Sequence, residues 1–118
     1  MRIKLFGEEH ERTADSYREL GVTQHQMHDY KAALQSHQRA LAILIKLFGE
    51  EHDSTADSYR EVGVTQHQMH YYEAALKFYQ RALAIRIKLF GEEHESTADS
   101  YKAAGQTQHQ MHDYKAAL

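Results

Sequence analysis

Apolar residues recur at three- and four-residue steps along most of the chain, the spacing of helices with one buried face. Ala14, Tyr17, Leu20 and Gly21, then Gln24 and Met27, predict a first helix over about residues 12–26. Tyr30, Ala33, Leu34, His37, Ala40, Leu41, Ile45 and Phe48 follow the same steps more strongly and predict a second over about residues 30–47. Neither stretch shows the period-two alternation of a strand. The expectation is an all-α chain built from helix pairs, here called helix A and helix B.

The pattern is periodic on a larger scale. "IKLFGEEH" begins at Ile3, Ile45 and Ile87, and "TADSY" begins at Thr13, Thr55 and Thr97, a spacing of 42 residues each time. Residues 7–48 and 49–90 differ at nine positions and agree at the other 33. The organisation expected is the end of a helix B at 1–6, repeats at 7–48 and 49–90, and a truncated third repeat at 91–118, together one array. Such copies each carry an apolar face that only a neighbour can bury.

Local signals mark the helix ends. Ser54 and Ser96 precede Thr-Ala-Asp, so their hydroxyls are expected to cap helix A, with Asp57 and Asp99 in its electropositive first turn. Arg12 replaces that serine in the first copy, leaving Thr13 or Glu11 to substitute. Gly7, Gly49 and Gly91 follow a Leu-Phe pair and suit the positive-φ residue that ends helix B. Gly21, Gly63 and Gly105 lie inside helix A, where each costs about 1 kcal/mol relative to Ala. Their recurrence implies the close approach of a neighbouring helix.

The stretch "SYRELGVTQHQMHDYKAALQSHQRAL" resembles the tetratricopeptide (TPR) repeat. Tyr17 takes the aromatic place early in helix A, Leu20-Gly21 follows it, Asp29-Tyr30 opens helix B, Ala33 is its small contact residue, and Ala40-Leu41 completes the pattern. The 42-residue period, with "LFGEEH" between copies, is similar to the longer variety in kinesin light chains and nephrocystin-like proteins. The resemblance covers the whole chain and implies a right-handed α-solenoid of antiparallel helix pairs. It also implies that His28 stands where the family has a glycine ending helix A. Departures limit what carries over. The asparagines that kinesin light chains present in their groove are Arg18-Glu19, Arg60-Glu61 and Lys102-Ala103 here, so that cargo specificity does not transfer. The usual late helix-A aromatic is Gln24, Gln66 or Gln108.

Composition narrows the function classes. The chain has 118 residues and no Cys, Pro or Trp. Without Cys there are no disulfides and no thiolate metal sites. Acidic and basic residues are interleaved at a net charge of −3, with no basic stripe to bind nucleic acid. The few apolar residues before Glu8 are too short for a secretory core or a membrane span, so a soluble cytoplasmic protein with no membrane partner is expected. Ten histidines added as cations would take the charge from −3 to +7, which predicts pH-dependent solubility and self-association.

The histidines are also the metal candidates. "TQHQMH" supplies the His25/His28, His67/His70 and His109/His112 pairs, yet a metal site needs three or four ligands and no third one sits at suitable spacing. Turn and surface roles are expected, with no cofactor and no metal centre. His10, His52 and His94 in "GEEH" are expected to cap or pack against the next helix, and His37 to sit in the core. No Cys nucleophile, phosphate loop or nucleophile elbow supports catalysis, so no enzyme is expected.

What the resemblance implies is a protein–protein interaction scaffold whose concave face is lined by helix A. Its groove residues would be Asp15, Arg18, Val22, His25 and Gln26 in the first copy. They would be Asp57, Arg60, Val64, His67 and Gln68 in the second, and Asp99, Lys102, Gln106, His109 and Gln110 in the third. The implied partner is a protein or peptide. The alternative is a self-associating segment with no dedicated ligand, a homo-oligomer stacking or exchanging helices through Ile3, Leu5 and Phe6 at one end and Tyr114, Ala117 and Leu118 at the other.

Overall fold

Five helices follow one another in the computed structural model, which describes residues 10–118: α1 Glu11–Gln26, α2 Tyr30–Phe48, α3 Asp53–Gln68, α4 Tyr72–Phe90 and α5 Glu95–Ala117. Each packs against the next in chain order, so the five form a stack of antiparallel neighbours 51 × 34 × 17 Å across. Helix A of the three copies is α1, α3 and α5, and helix B is α2 and α4. The expected ends at residues 12–26 and 30–47 fall within a residue of those observed. Ile3, Leu5 and Phe6 lie outside the described residues. Among the described residues, no helix is long and apolar enough to cross a membrane.

Of the two capping expectations, the GEEH histidines hold and the serines do not: the residue that starts each helix A is histidine. His10, His52 and His94 sit at the N-cap, and their Nδ1 atoms accept from the backbone N–H of Arg12, Ser54 and Ser96 at 3.0, 3.1 and 3.0 Å. Ser54 and Ser96 are already inside the first turn, where their N–H groups need a partner and their hydroxyls are past the capping place. Arg12 therefore costs the first copy no cap. The cap needs a neutral ring, because a protonated imidazole has no lone pair to offer. His52 and His94 also stack on Phe48 and Phe90 at ring-centroid distances of 4.3 and 4.4 Å, which ties the loop to the end of helix B. Gly49 and Gly91 make the chain reversal there at φ of 85° and 89°, and Thr55 and Thr97 latch it by donating to their carbonyls at 2.8 Å.

Helix A ends at His28 and His70, both left-handed at φ 64°. The bonds are those of a Schellman turn: Asp29 N–H to Gln24 O at 2.8 Å and His28 N–H to His25 O at 2.9 Å, with Tyr71–Gln66 and His70–His67 matching them. Histidine thus fills the place of a turn glycine in both copies. In the third copy the turn does not form, and α5 runs straight through His112 to Ala117. The left-handed residue costs about 1–2 kcal/mol. A 19-residue helix B repays that cost in the first two copies. On α5 the corresponding residues instead touch α4, with the Tyr114 ring 5.8 Å from that of Tyr72 and Lys115 Nζ 3.7 Å from Glu73.

The core lies between A and B helices. Leu41, Ala56, Tyr59, Val62, Ala82 and Ile85 form its centre, and Ala14, Ile43 and Leu44 form a smaller cluster beside α1. The helix-A glycines explain the spacing of the pairs. A Cβ on Gly21 would lie 2.7 Å from the His37 ring, and one on Gly63 would lie 2.8 Å from the Tyr79 ring and 3.3 Å from the Ala75 carbonyl. His37 is buried as expected. The ring at this position of helix B packs flat onto bare helix-A backbone.

Candidate interaction groove

The neighbouring A helices are joined by polar contacts that differ from copy to copy. Arg18 on α1 donates to both carboxylate oxygens of Glu61 on α3, Nε to Oε1 at 3.0 Å and Nη2 to Oε2 at 2.9 Å. The pair is half-buried, and hydrogen bonding to Glu61 raises the Arg18 pKa. His37 reaches up from α2, its Nδ1 3.7 Å from Glu61 Oε1. Burial pushes the His37 pKa down, against the attraction of Glu61 and with the repulsion of Arg18 and His25. Between α3 and α5 the link is smaller: His67 Nδ1 lies 2.8 Å from Thr107 Oγ1, and burial lowers the His67 pKa, with His70 adding to it.

Along this edge run three open hollows. One of about 440 Å³ is lined by Asp15, Arg18, Glu19, Val22, Thr23 and Glu61. The next, about 230 Å³, lies between α1 and α3 among Val22, His25, Gln26, His37, Arg60, Glu61, Val64 and Thr65. The third, about 480 Å³, lies between α3 and α5 among His67, Lys102, Gly105, Gln106, His109 and Gln110. Most of the residues expected on the helix-A face are thus brought to three successive hollows. Asp57, Gln68 and Asp99 are not among those lining them. Asp57 is drawn toward α4, where it pairs with Arg86, a buried arginine that is Leu44 in the first copy. Arg86 also lies 3.9 Å from Asp53.

Six lining residues lie outside the expected groove set: Glu19, Thr23, Glu61, His37, Thr65 and Gly105. The signal for Glu61 was present, since Glu19, Glu61 and Ala103 occupy one position of the repeat. Ala103 provides no carboxylate for Arg60, which is exposed and makes no ion pair with any described residue.

In the first two copies both histidines of the pair pack on one tyrosine. The His25 ring meets Tyr30 edge-on at 5.0 Å and the His28 ring stacks on Tyr30 at 5.7 Å. His67, His70 and Tyr72 repeat the arrangement at 5.2 and 5.5 Å. Among the described residues, no three His, Cys, Asp or Glu side chains are grouped to hold a metal ion.

A family model described as tetratricopeptide repeat matches residues 1–46, 28–88 and 68–118. The chain belongs to the tetratricopeptide-repeat family. Tetratricopeptide repeats are generally protein-interaction modules and typically non-catalytic. The crystal structure of BtubC (BKLC) from P. vanneervenii is similar to this chain, with a TM-score of 0.70 at 25% identity over 93% of the chain. The chain spans 49% of that protein's length. The likeness to the kinesin light chain-like variety read from the 42-residue period therefore stands in the fold as well. No curated protein sequence matches the chain.

Proposed function

We propose that this tetratricopeptide-repeat chain binds a protein or peptide segment along the edges of α1, α3 and α5. The observation that carries the reading is the run of three hollows lined by Arg18, Val22, His25, Arg60, Val64, His67, Lys102 and His109. Each mixes a short apolar side chain or bare backbone with a cation, an amide or an imidazole. An extended peptide finds hydrogen-bond partners there at the 42-residue period and shallow apolar contacts between them. Specificity is expected around α3, where Arg60 lacks the carboxylate that Glu61 supplies to Arg18, Ala103 standing at that position of the next copy.

The test is selection of a displayed random-peptide library on the immobilised chain, repeated on Arg60→Glu with Lys102→Glu and on Lys77→Glu, an exposed control on α4. Enriched peptides should lose binding at least tenfold on the double variant and keep it on the control. Peptides that bind all three chains equally would remove the groove from consideration.

A further inference from the structure

Three positions of the repeat meet where one A helix packs beside the next, and the two such junctions fill them differently. Around the α1–α3 junction they are Arg18, Glu61 and His37; around the α3–α5 junction they are Arg60, Ala103 and Tyr79. The first set combines a cation, a carboxylate and an imidazole, and the second has neither the carboxylate nor the imidazole. The second junction is instead bridged by His67 Nδ1 on Thr107 Oγ1 at 2.8 Å. The first keeps an open hollow of about 230 Å³ lined by His25, His37, Arg60, Glu61 and Val64 among others.

His37 sits at the base of that difference. It is 3% exposed, its ring packs on the Gly21 backbone, and its Nδ1 is buried with no hydrogen-bond partner. Facing Nδ1 at 3.7 Å is Glu61 Oε1, which already accepts from Arg18 Nε at 3.0 Å. The charged and titratable groups around the ring are Arg18 and His25 from α1 and Glu61 from α3, with Arg60 on the same hollow. Burial, Arg18 and His25 outweigh Glu61 and lower the His37 pKa, so the ring is neutral at pH 7. A proton on the ring makes both nitrogens donors. Nδ1–H then needs an acceptor in a buried place, and Glu61 Oε1 is the one in front of it. A small rotation of the carboxylate passes Oε1 from Arg18 to His37 and leaves Arg18 the single bond from Nη2 to Oε2.

We infer that His37, Glu61 and Arg18 form a proton-operated latch that opens the α1–α3 hollow to an acidic side chain of the partner. With His37 neutral, Glu61 occupies the Arg18 guanidinium from within, and the three groups carry no net charge. With His37 protonated they carry one positive charge, Arg18 Nε is free to donate to a partner's carboxylate, and Arg60 stands beside it. The partner's Asp or Glu stays ionised down to about pH 5, so both charges coexist on the acid side of neutrality. The α3–α5 junction has no such latch, because Tyr79 takes up no proton and Ala103 has no carboxylate.

The latch regulates the groove proposed above and rests on that reading for its consequence, so the first arm of the test uses no ligand. NMR resonances of the His37 ring, the Glu61 carboxyl carbon and Arg18 Nε–H should be followed from pH 8 to 5, with circular dichroism confirming the fold. All three should shift with one midpoint, and Glu61→Gln should lower the His37 midpoint. An Arg18 Nε–H that stays put while His37 titrates, or a midpoint indifferent to Glu61→Gln, would overturn the latch. The second arm uses peptides selected from the displayed library at pH 5. They should carry Asp or Glu, and their gain in affinity from pH 7.5 to 5 should be about fivefold larger on the parent chain than on His37→Tyr. Tyrosine is the residue of the second copy and packs on glycine there, so that variant keeps the fold. His25→Gln should keep most of the gain, whatever it does to affinity itself. Equal gains on the parent chain and His37→Tyr, or a gain lost with His25→Gln, would refute the regulation and leave the groove reading standing. A library that yields no peptide at either pH would defeat the groove reading and the regulation with it.

Discussion

Arg18 and Glu61, 43 residues apart in sequence, close a two-pronged ion pair across α1 and α3, with both donor–acceptor distances near 3 Å. The pair is half-buried and planar in its recognition, so it fixes the angle between neighbouring A helices more than it adds energy. Glu61→Gln should cost about 1 kcal/mol in urea denaturation, and a double-mutant cycle with Arg18→Ala should return a coupling of about that size. A coupling indistinguishable from zero would reduce the pair to a solvated contact.

The helix-A glycines make opposite predictions in neighbouring copies. Gly63→Ala drives a Cβ into the Tyr79 ring and toward the Ala75 carbonyl, and should destabilise by about 1–3 kcal/mol. Gly105→Ala meets open space and should stabilise dilute protein by about 0.5–1 kcal/mol through helix propensity. Thermal melts of the two variants against the unsubstituted chain decide it.

The three "QMH" histidines are a second internal comparison. A β-branched side chain at the left-handed His70 should cost about 1–2 kcal/mol, so His70→Val is predicted to be clearly destabilising. His112→Val on the straight α5 should fall within about 0.5 kcal/mol of the unsubstituted chain. Equal losses at both sites would mean that His112 turns as His70 does.

Stability should fall as the pH drops. Burial lowers the folded-state pKa of His37, although Glu61 pulls the other way, and burial lowers that of His67. In the unfolded chain both take up a proton around the ordinary value of about 6.5. Below that pH the unfolded state binds more protons than the folded one, so unfolding is favoured progressively as pH falls through the lowered folded-state values. Denaturant midpoints at pH 7.5 and 5.5 should show this, and His37→Tyr, the residue of the second copy, should reduce the difference. A midpoint independent of pH in the parent chain would contradict the burial argument.

Much of the fold was legible because helix periodicity and a 42-residue repeat are properties of the letters themselves. The recurrent Gly21, Gly63 and Gly105 announced a close approach; the varied His37/Tyr79 ring makes it at the first two, and Gly105 meets nothing within 4 Å. Two candidates for the cap stood side by side in the letters, the serine hydroxyls and the GEEH histidines, and only geometry shows that His52 occupies the N-cap. Asp57 was read as a groove residue because its pairing with Arg86 depends on a single leucine-to-arginine difference on another helix. The straight run of α5 was not legible at all, since identical letters at 23–34 form a turn.

The central claim is that the edge formed by α1, α3 and α5 receives the partner. The most direct measurement is a backbone-amide NMR titration of the chain with a peptide recovered from the library selection. Shifts should concentrate at Arg60, Val64, His67, Lys102 and His109 and fade across α2 and α4. Shifts centred on α2 and α4, with the hollows on either side of α3 unperturbed, would contradict it.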